Sequence, residues 1–236
     1  MYLKKRYLKD CELYEKNNRD KRFLLSEGKK YIVYEDEEPA GKLDEHYFLQ
    51  DIWMSKCVRE RMPIRHYDVG SRIDGFIAHL LSMSIETTLI DIRKLDINVE
   101  ELCFIQDDAT ELKNIKNETI DSLSALHSIE HFGLGRYGDN IDPDAWKKVL
   151  HSFERVLKKD GYLYLSVPIA RKSYVVFNAH RVFLPSAIID ECKSLKLERF
   201  AYIDSYEVHE LDVNHSIDEN VGESDYMCGM FVFRKV

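Results

Sequence analysis

Long apolar runs are missing from this chain. No stretch approaches the ~18 residues that cross a bilayer, and the start "MYLKKRYLKDCELYEKN" is charged where a secretory leader carries an apolar segment. The expectation is a soluble, cytoplasmic protein with no membrane partner. Cysteine is sparse: Cys11, Cys57, Cys103, Cys192 and Cys228 are scattered, odd in number and without a CxxC pair. That argues against a disulfide framework and a zinc ribbon, and reads as reduced structural thiols. Excess positive charge is absent too, since the net charge is -8. No electrostatic footprint for nucleic acid remains, and the locally basic "MYLKKRYLKD" reads as a solvated helix face. Internal repeats and low-complexity tracts are lacking as well. What is present is 236 residues with 44% hydrophobic content, enough for one sizeable core, or for one core plus a small appendage.

From residue 65 the pattern becomes regular. "RHYDV" is a short apolar run ending in a glycine turn, and "DGFIAHLLSMS" follows with helical spacing. "ETTLIDIR" ends a β-branched run at Asp91, "ELCFIQDDA" ends another at Asp107 and Asp108, and "TIDSLSALH" is a fourth. Asp142 then suits a helix cap with Pro143 at the first helical position, and "DAWKKVLHSFERVLKKDG" carries a helical apolar stripe predicted to end at Gly161. "YLYLSVP" is a fifth strand, "LPSAIIDECKSL" a further helix, and "LERFAYIDSYEV" with "DYMCGMFVFRK" a closing antiparallel pair.

Strands alternating with helices predict a Rossmann-like, doubly wound and mostly parallel α/β sheet of seven strands with an antiparallel edge pair. Residues 1–62 differ. A basic helix, a turn at Gly28 with "KKYIVYEDEEPAGK", and the amphipathic "DEHYFLQDIWMSKCVRERM" are expected to form a helical cap on a domain spanning 63–236.

In such sheets the first strand-to-helix turn brings backbone close to the ligand. Here it reads "YDVGSRIDGF". A phosphate-gripping loop would need lysine where Phe76 stands, and a dinucleotide fingerprint would need glycine where Arg72 stands. A nucleoside without a pyrophosphate suits the turn better, with Gly70 and Gly75 leaving room for a zwitterionic tail.

"YDVGSRIDG", Asp91 in "LIDIR", "DDAT" and "LKKDGYLYLSVP" together resemble the successive motifs of the class I S-adenosylmethionine-dependent methyltransferases, over about residues 65–236. "HYFLQD", "LHSIEHFGLGRYGD" and "FNAHRVF" resemble more narrowly a branch often met near bacterial surface-polysaccharide genes. The resemblance implies S-adenosyl-L-methionine as cofactor. Asp91, with Ile92 beside it, would accept the ribose hydroxyls, since a carboxylate can accept from both. Asp108 and Ala109 would meet the adenine. Asp68, Gly70, Ser71 and Gly75 would shape the turn around the methionine tail, with Gln50 and His127 beside it.

The methyl acceptor would then lie beyond the fourth strand. "LHSIEHFGLGRYGDN" gathers two histidines, a glutamate, three glycines, an arginine and a tyrosine, more chemistry than a connector needs. Arg136 and Tyr137 there, with Asn178 and Arg181 after the fifth strand, are acceptor-binding candidates. His131 or His180 suits a general base near neutral pH, with Glu130 beside it. A second reading places a divalent metal on His127, Glu130, His131 and His180, resembling the E-x-x-E-H sites of some RNA-end and quinone-pathway methyltransferases. "HSIEH" also matches the string of inverted zinc peptidases, but "GLG" breaks the helix that site requires.

The function expected is therefore methyl transfer to a hydroxyl of a sugar, sugar nucleotide or related polar small molecule. The alternative from another class is a non-catalytic S-adenosylmethionine-binding partner or sensor. Oligomeric state is not legible in the sequence.

Overall fold

Tyr2–Asn17 forms helix α1, and the chain divides into two units, Met1–Lys42 and Leu43–Val236. The computed structural model describes residues 2–20, 22–25, 32–34, 41, 43–96 and 98–236. In the first unit the Arg6 guanidinium lies 3.9 Å from the Tyr34 ring centroid, and the Tyr34 hydroxyl donates to Asp10 (2.8 Å). The turn expected at Gly28 falls outside the described residues.

Helix α2 (Glu45–Arg61) opens the second unit. The Asp44 carboxylate accepts from the Tyr47 amide at its start, and Met62 adopts a left-handed φ of 44° at its end, just before Pro63. The strands, in chain order, are β1 (Arg65–Val69), β2 (Glu86–Asp91), β3 (Leu102–Gln106), β4 (Ile120–Leu126), β5 (Leu157–Ile169), β6 (Tyr174–Val176), β7 (His180–Val182), β8 (Leu195–Asp204), β9 (Glu207–Leu211) and β10 (Met227–Lys235). Between them lie a π-helical turn (Ile73–Ile77) continued by α3 (Ala78–Ser82), then α4 (Ala145–Val156), α5 (Pro185–Glu191) and α6 (Ile217–Asn220).

The main sheet has the order β3-β2-β1-β4-β5-β10-β8-β9. The pairs among β1 to β5 are parallel, and β10 runs antiparallel to both β5 and β8. This is the expected Rossmann-like architecture, with the chain changing direction of travel between β1 and β4. Side chains alternate between faces along each strand. Leu163, Leu165 and Val167 of β5 join Val149, Leu150 and Phe153 of α4 in one cluster, while Tyr164 joins Met54 and Val58 of α2 and Leu80 of α3 in the other.

Two details depart from the sequence reading. The main sheet has eight strands, because Ser205 (φ 50°) and Tyr206 (φ 66°) make a two-residue left-handed turn that folds the expected single strand into the β8–β9 hairpin. Strand β10 lies between β5 and β8, so β10, β8 and β9 form the antiparallel side of the sheet. The second departure is at Gly161. Helix α4 ends at Val156, Leu157 already pairs with Ile120, and Gly161 lies within β5, where a Cβ would meet the Lys158 carbonyl at 2.9 Å. Among the described residues no helix is long and apolar enough to cross a membrane.

Candidate functional site

At the carboxyl end of β1, buried Asp68 accepts from the Ser71 amide (3.1 Å), the Ser71 hydroxyl (2.6 Å) and the Ser124 hydroxyl. The Ser71 hydroxyl in turn accepts from the Leu126 amide (2.9 Å), which ties the turn to β4. Behind Asp68 the His66 ring sits between the Ser122 and Ser124 hydroxyls at 2.7 and 2.8 Å. Burial pushes Asp68 up to about 6 and holds His66 down at about 3, so the imidazole is neutral. Asp68 therefore organises the turn from beneath.

Gly70, with φ +68°, donates its amide to the Ile90 carbonyl (3.1 Å), and a Cβ there would meet Ser128 Cβ at 3.2 Å. Gly75 plays a different part. A Cβ on it would lie 1.9 Å from Asp51 Oδ2, so this glycine lets α2 close onto the π-helical turn. Gln50 likewise belongs to packing. It is buried, accepts from the Ser166 hydroxyl and donates to Asp51 (3.0 Å), bridging α2 to β5.

A cleft of about 300 Å³ opens beyond the ends of β1, β2, β3 and β4, at the switch point where open α/β sheets bind ligands. Gly70, Asp91, Ile92, Asp108, Ala109, His127 and His131 all line it, as do Arg93, Ser128, Tyr137 and Asp139. Asp91 sits at the tip of β2 with both carboxylate oxygens on Arg93 (2.9 and 2.7 Å), while Oδ1 also accepts the Arg93 amide (2.8 Å). Burial alone would raise the Asp91 carboxyl, but the Arg93 side chain and amide outweigh it and hold the group below its usual range. The Arg93 guanidinium lies 4.5 Å from the Tyr137 ring centroid, so Tyr137, in the loop after β4, reaches across to the β2 end of the cleft. Asp108 makes an Asx turn with Thr110, and Asp107 accepts from the Asp108 and Asn114 amides, holding that turn open towards the cleft.

The loop after β4 brings three of the expected reactive groups together. His127 takes a left-handed φ of 48°, and its Nδ1 lies 3.2 Å from Glu130 Oε1. His131 Nε2 lies 3.4 Å from the same oxygen. His131 Nδ1 is 2.7 Å from the Ala179 carbonyl, which only accepts, so Nδ1 carries the proton. His127 Nε2, Glu130 Oε2 and Ser128 Oγ are buried without a hydrogen-bond partner. Burial opposes charge on His127, yet the neighbouring Cys228 and Glu130 outweigh it and raise the group well above its ordinary value. Burial wins at His131 and lowers it.

The remaining expected residues are dispersed. Arg136 is exposed and donates to the Ala179 carbonyl (2.9 Å). Asn178 sits exposed at the tip of the β6–β7 hairpin. Arg181 is buried, and its guanidinium is used on the Phe132 (2.6 Å), Pro143 (3.3 Å) and Glu130 (3.4 Å) carbonyls, so it clamps the loop. His180 packs edge-on against Tyr226, with ring centroids 5.4 Å apart. Among the described residues no group of three or more His, Cys, Asp or Glu side chains is arranged to hold a metal ion. The four-ligand metal site therefore does not fit the structure, and no step is derived through a metal.

Several residues went unanticipated. Arg93 had a local signal, an arginine two positions after the acid that ends β2. Asp139 had one too, as the acid amid Gly133, Gly135 and Gly138; it accepts from the Gly133 (2.7 Å) and Tyr137 (3.1 Å) amides and shapes the loop. Ser128 had none.

Solved structures share this fold at low identity. The Burkholderia thailandensis 1,6-didemethyltoxoflavin-N1-methyltransferase, with bound 1,6-didemethyltoxoflavin and S-adenosylhomocysteine, matches with TM-score 0.56 and 15% identity over 80% of this chain and 79% of its own. The N-methyltransferase NodS from Bradyrhizobium japonicum WM9, in complex with S-adenosylhomocysteine, matches with TM-score 0.54 and 12% identity over 96% and 97%. The [4+2]-cyclase SpnF matches with TM-score 0.55 and 15% identity over 78% and 81%. At such identity the likeness is one of fold, and a cyclase among the three illustrates that fold alone does not fix a reaction. A search of curated proteins finds no match. The profile of the family described as "Caenorhabditis protein of unknown function, DUF268" matches residues 83–234, well over half of the sequence, and the chain therefore belongs to the DUF268 family.

Proposed function

We propose that this protein is an S-adenosylmethionine-dependent methyltransferase acting on a hydroxyl of a sugar, sugar nucleotide or related polar small molecule. The observation that carries the reading is the cleft at the switch point, where Gly70, Asp91, Asp108 and Ala109 from three successive strand ends line one cavity. Two proteins of the same fold hold S-adenosylhomocysteine.

The residues present fit the cofactor. Gly70 keeps the first turn clear where a Cβ would press on Ser128 (3.2 Å), and Asp91 presents a carboxylate to the cleft. Asp91 would hold the ribose hydroxyls, Ile92 would cover the base with its 47% exposed side chain, and Asp108 with Ala109 would meet the base edge. When bound, S-adenosylmethionine supplies an electrophilic methyl group on a sulfonium. The chain's own work is to align the acceptor oxygen, exclude water and accept one proton.

The Glu130–His131 couple suits the proton. Glu130 Oε2 has no partner, Oε1 already faces His127 and His131, and the Ala179 carbonyl fixes the His131 ring. His180 stands outside this couple. The sugar-type acceptor is supported by the polar loop chemistry and by the sequence resemblance to the polysaccharide-associated branch.

Calorimetric titration with S-adenosylhomocysteine, followed by transfer of labelled methyl to a panel of sugar nucleotides, tests the reading. Glu130→Gln and His131→Ala are expected to keep the cofactor product's affinity and to lose transfer by ~100-fold. Preferential binding of NAD would overturn the family of ligand. Tight S-adenosylhomocysteine binding with full transfer in both variants would overturn the assignment of the proton acceptor.

A further inference from the structure

The stretch "SYVVFNA", residues 173–179, bears no charge and no proline, and it holds β6 with the turn into β7. Strand β6 pairs with β7 alone, in a two-stranded sheet separate from the main one, so among the described residues its outer edge has no backbone partner. Such an edge offers a row of N–H and C=O groups to a further strand, and proteins ordinarily blunt it with charge, proline or a bulge. At the β9 edge of the main sheet Glu207 and Glu210 do this. Two strands of three residues also fall short of the three strands that make a sheet stable by itself. Tyr174, Val175, Val176 and Phe177 are between 38% and 71% exposed although none carries a charge. Beside them lies an apolar groove of about 420 Å³, lined by Leu134, Ile141 and Trp146 together with Ser173, Val175 and Phe177.

We infer that the free edge of β6 is the interface of a homodimer, in which β6 of one copy pairs antiparallel with β6 of a second about a two-fold axis at Val175. Pairing about a two-fold needs a strand that complements itself, and this one does. Val175 opposes the partner's Val175, Tyr174 opposes the partner's Val176, Ser173 opposes the partner's Phe177, and Lys172 opposes the partner's Asn178. Like charges meet at none of these positions, and the aromatic against β-branched pair is a favourable one. Ser173, Val175 and Phe177 are spaced by two, so they share one face of the pleat, and all three line the groove. Each Phe177 therefore arrives beside the small Ser173 of the other copy, and the two grooves become one trough that holds both phenyl rings. The exposed parts of Tyr174, Val175, Val176, Phe177 and Ile141 amount to about 500 Å² per copy if such side chains bury ~150–250 Å² each. Two copies then bury about 1,000 Å², the size at which an interface becomes specific. The contact bears on the site already described, because the Ala179 carbonyl at the tip of the same hairpin accepts from His131 Nδ1 (2.7 Å) and Arg136 (2.9 Å). The inference does not rest on the methyltransferase reading.

Analytical ultracentrifugation and cysteine cross-linking of the full chain test this. At about 10 µM the parent is expected to sediment at twice the 27.8 kDa of one chain. Val175→Lys changes an exposed side chain and sets two ammonium groups against each other at the axis, so it should raise the dissociation constant at least tenfold with an unchanged circular-dichroism spectrum. Phe177→Ser should weaken the dimer as well. Oxidised Val175→Cys should form a disulfide between copies, since residues opposed across an antiparallel pair have Cα atoms about 4.5–5.5 Å apart. Val176→Cys, which opposes Tyr174 rather than itself, should cross-link far more slowly, as should the parent with its exposed Cys103. A parent that stays monomeric at about 100 µM would overturn the dimer. A dimer that neither Val175→Lys nor Phe177→Ser weakens would overturn this interface, and equal cross-linking of the two cysteine variants would overturn the two-fold register. A monomeric parent that co-sediments with phosphatidylcholine–phosphatidylglycerol vesicles, and loses them on Phe177→Ser, would replace the second copy with a membrane surface.

Discussion

Replacing Asp68 by asparagine isolates the cost of placing a carboxylate beneath the first turn. Asp68 is fully buried, and desolvation is the largest influence on it, only partly offset by donation from Ser124 and Ser71. Its carboxyl rises from an ordinary 3.8 to about 6. That displacement corresponds to about 3 kcal/mol held against the folded state once the group is ionised. A raised folded-state value means the folded form binds the proton more tightly than the unfolded chain does. The stabilisation is therefore fully present below the unfolded value and is lost as pH rises through about 6. Between about pH 8 and about pH 5 the parent should gain about 1.4 kcal/mol from this group alone. The asparagine side chain cannot titrate, and the neutral His66 can exchange its tautomer so that Ser124 still has a partner on each side. In urea titrations across that range Asp68→Asn should be the more stable protein at the alkaline end, and the difference should shrink by about 1.4 kcal/mol at the acid end. Parallel stability profiles for the two proteins would refute the reasoning, because they would mean that Asp68 is either solvated or already protonated.

Asp91→Ala should weaken S-adenosylhomocysteine by roughly 1.5–3 kcal/mol in calorimetry, whereas Arg93→Ala should tighten it. Arg93 occupies both Asp91 oxygens, but its side chain is 55% exposed, so removing that screened pair should release no more than about 1 kcal/mol. Gly75→Ala should destabilise the fold by about 1–3 kcal/mol in urea melts, and Asp51→Ala added to it should restore part of the loss by clearing the oxygen that lies 1.9 Å from the new Cβ. Arg181→Lys should leave cofactor affinity intact but speed amide exchange across the loop after β4, since one ammonium cannot span the Phe132, Pro143 and Glu130 carbonyls. Exhaustive chelation should leave methyl transfer unchanged, and elemental analysis of the active protein should find no stoichiometric divalent ion.

The reading of strands from short β-branched runs succeeded where the signal is local. "ETTLID", "LCFIQ" and "IDSLSAL" are each one strand ended by a polar residue or turn, and the acids at or just beyond the ends of the first two line the cleft. Boundaries failed where two local preferences competed. "ERVLKKDG" continues a helical stripe, yet Leu157 is taken by the pairing with Ile120, and the strand begins four residues before the glycine that would have ended the helix. The extra strand β9 was hidden because Ser205 and Tyr206 are unusual residues for paired left-handed φ, so the turn between them carries no Asn-Gly signal.

By itself the sequence determined the class of sheet, the order of strand ends and the carboxylate at the tip of β2, because periodicity, turn residues and strand length are properties of neighbours along the chain. What each polar group faces was decided only in three dimensions. Asp68 and Ser124 are 56 positions apart, Gln50 and Ser166 are 116 apart, and the Arg181 guanidinium meets carbonyls up to 51 positions away. Parallel strands can pair only after a crossover of a dozen or more residues, so the partners of a strand-end residue are always remote in sequence. For that reason Gly75 and Gln50, read as ligand contacts, serve the packing of α2, Arg181 clamps a loop, and Tyr226, silent in the sequence, packs against the His46 and His180 rings.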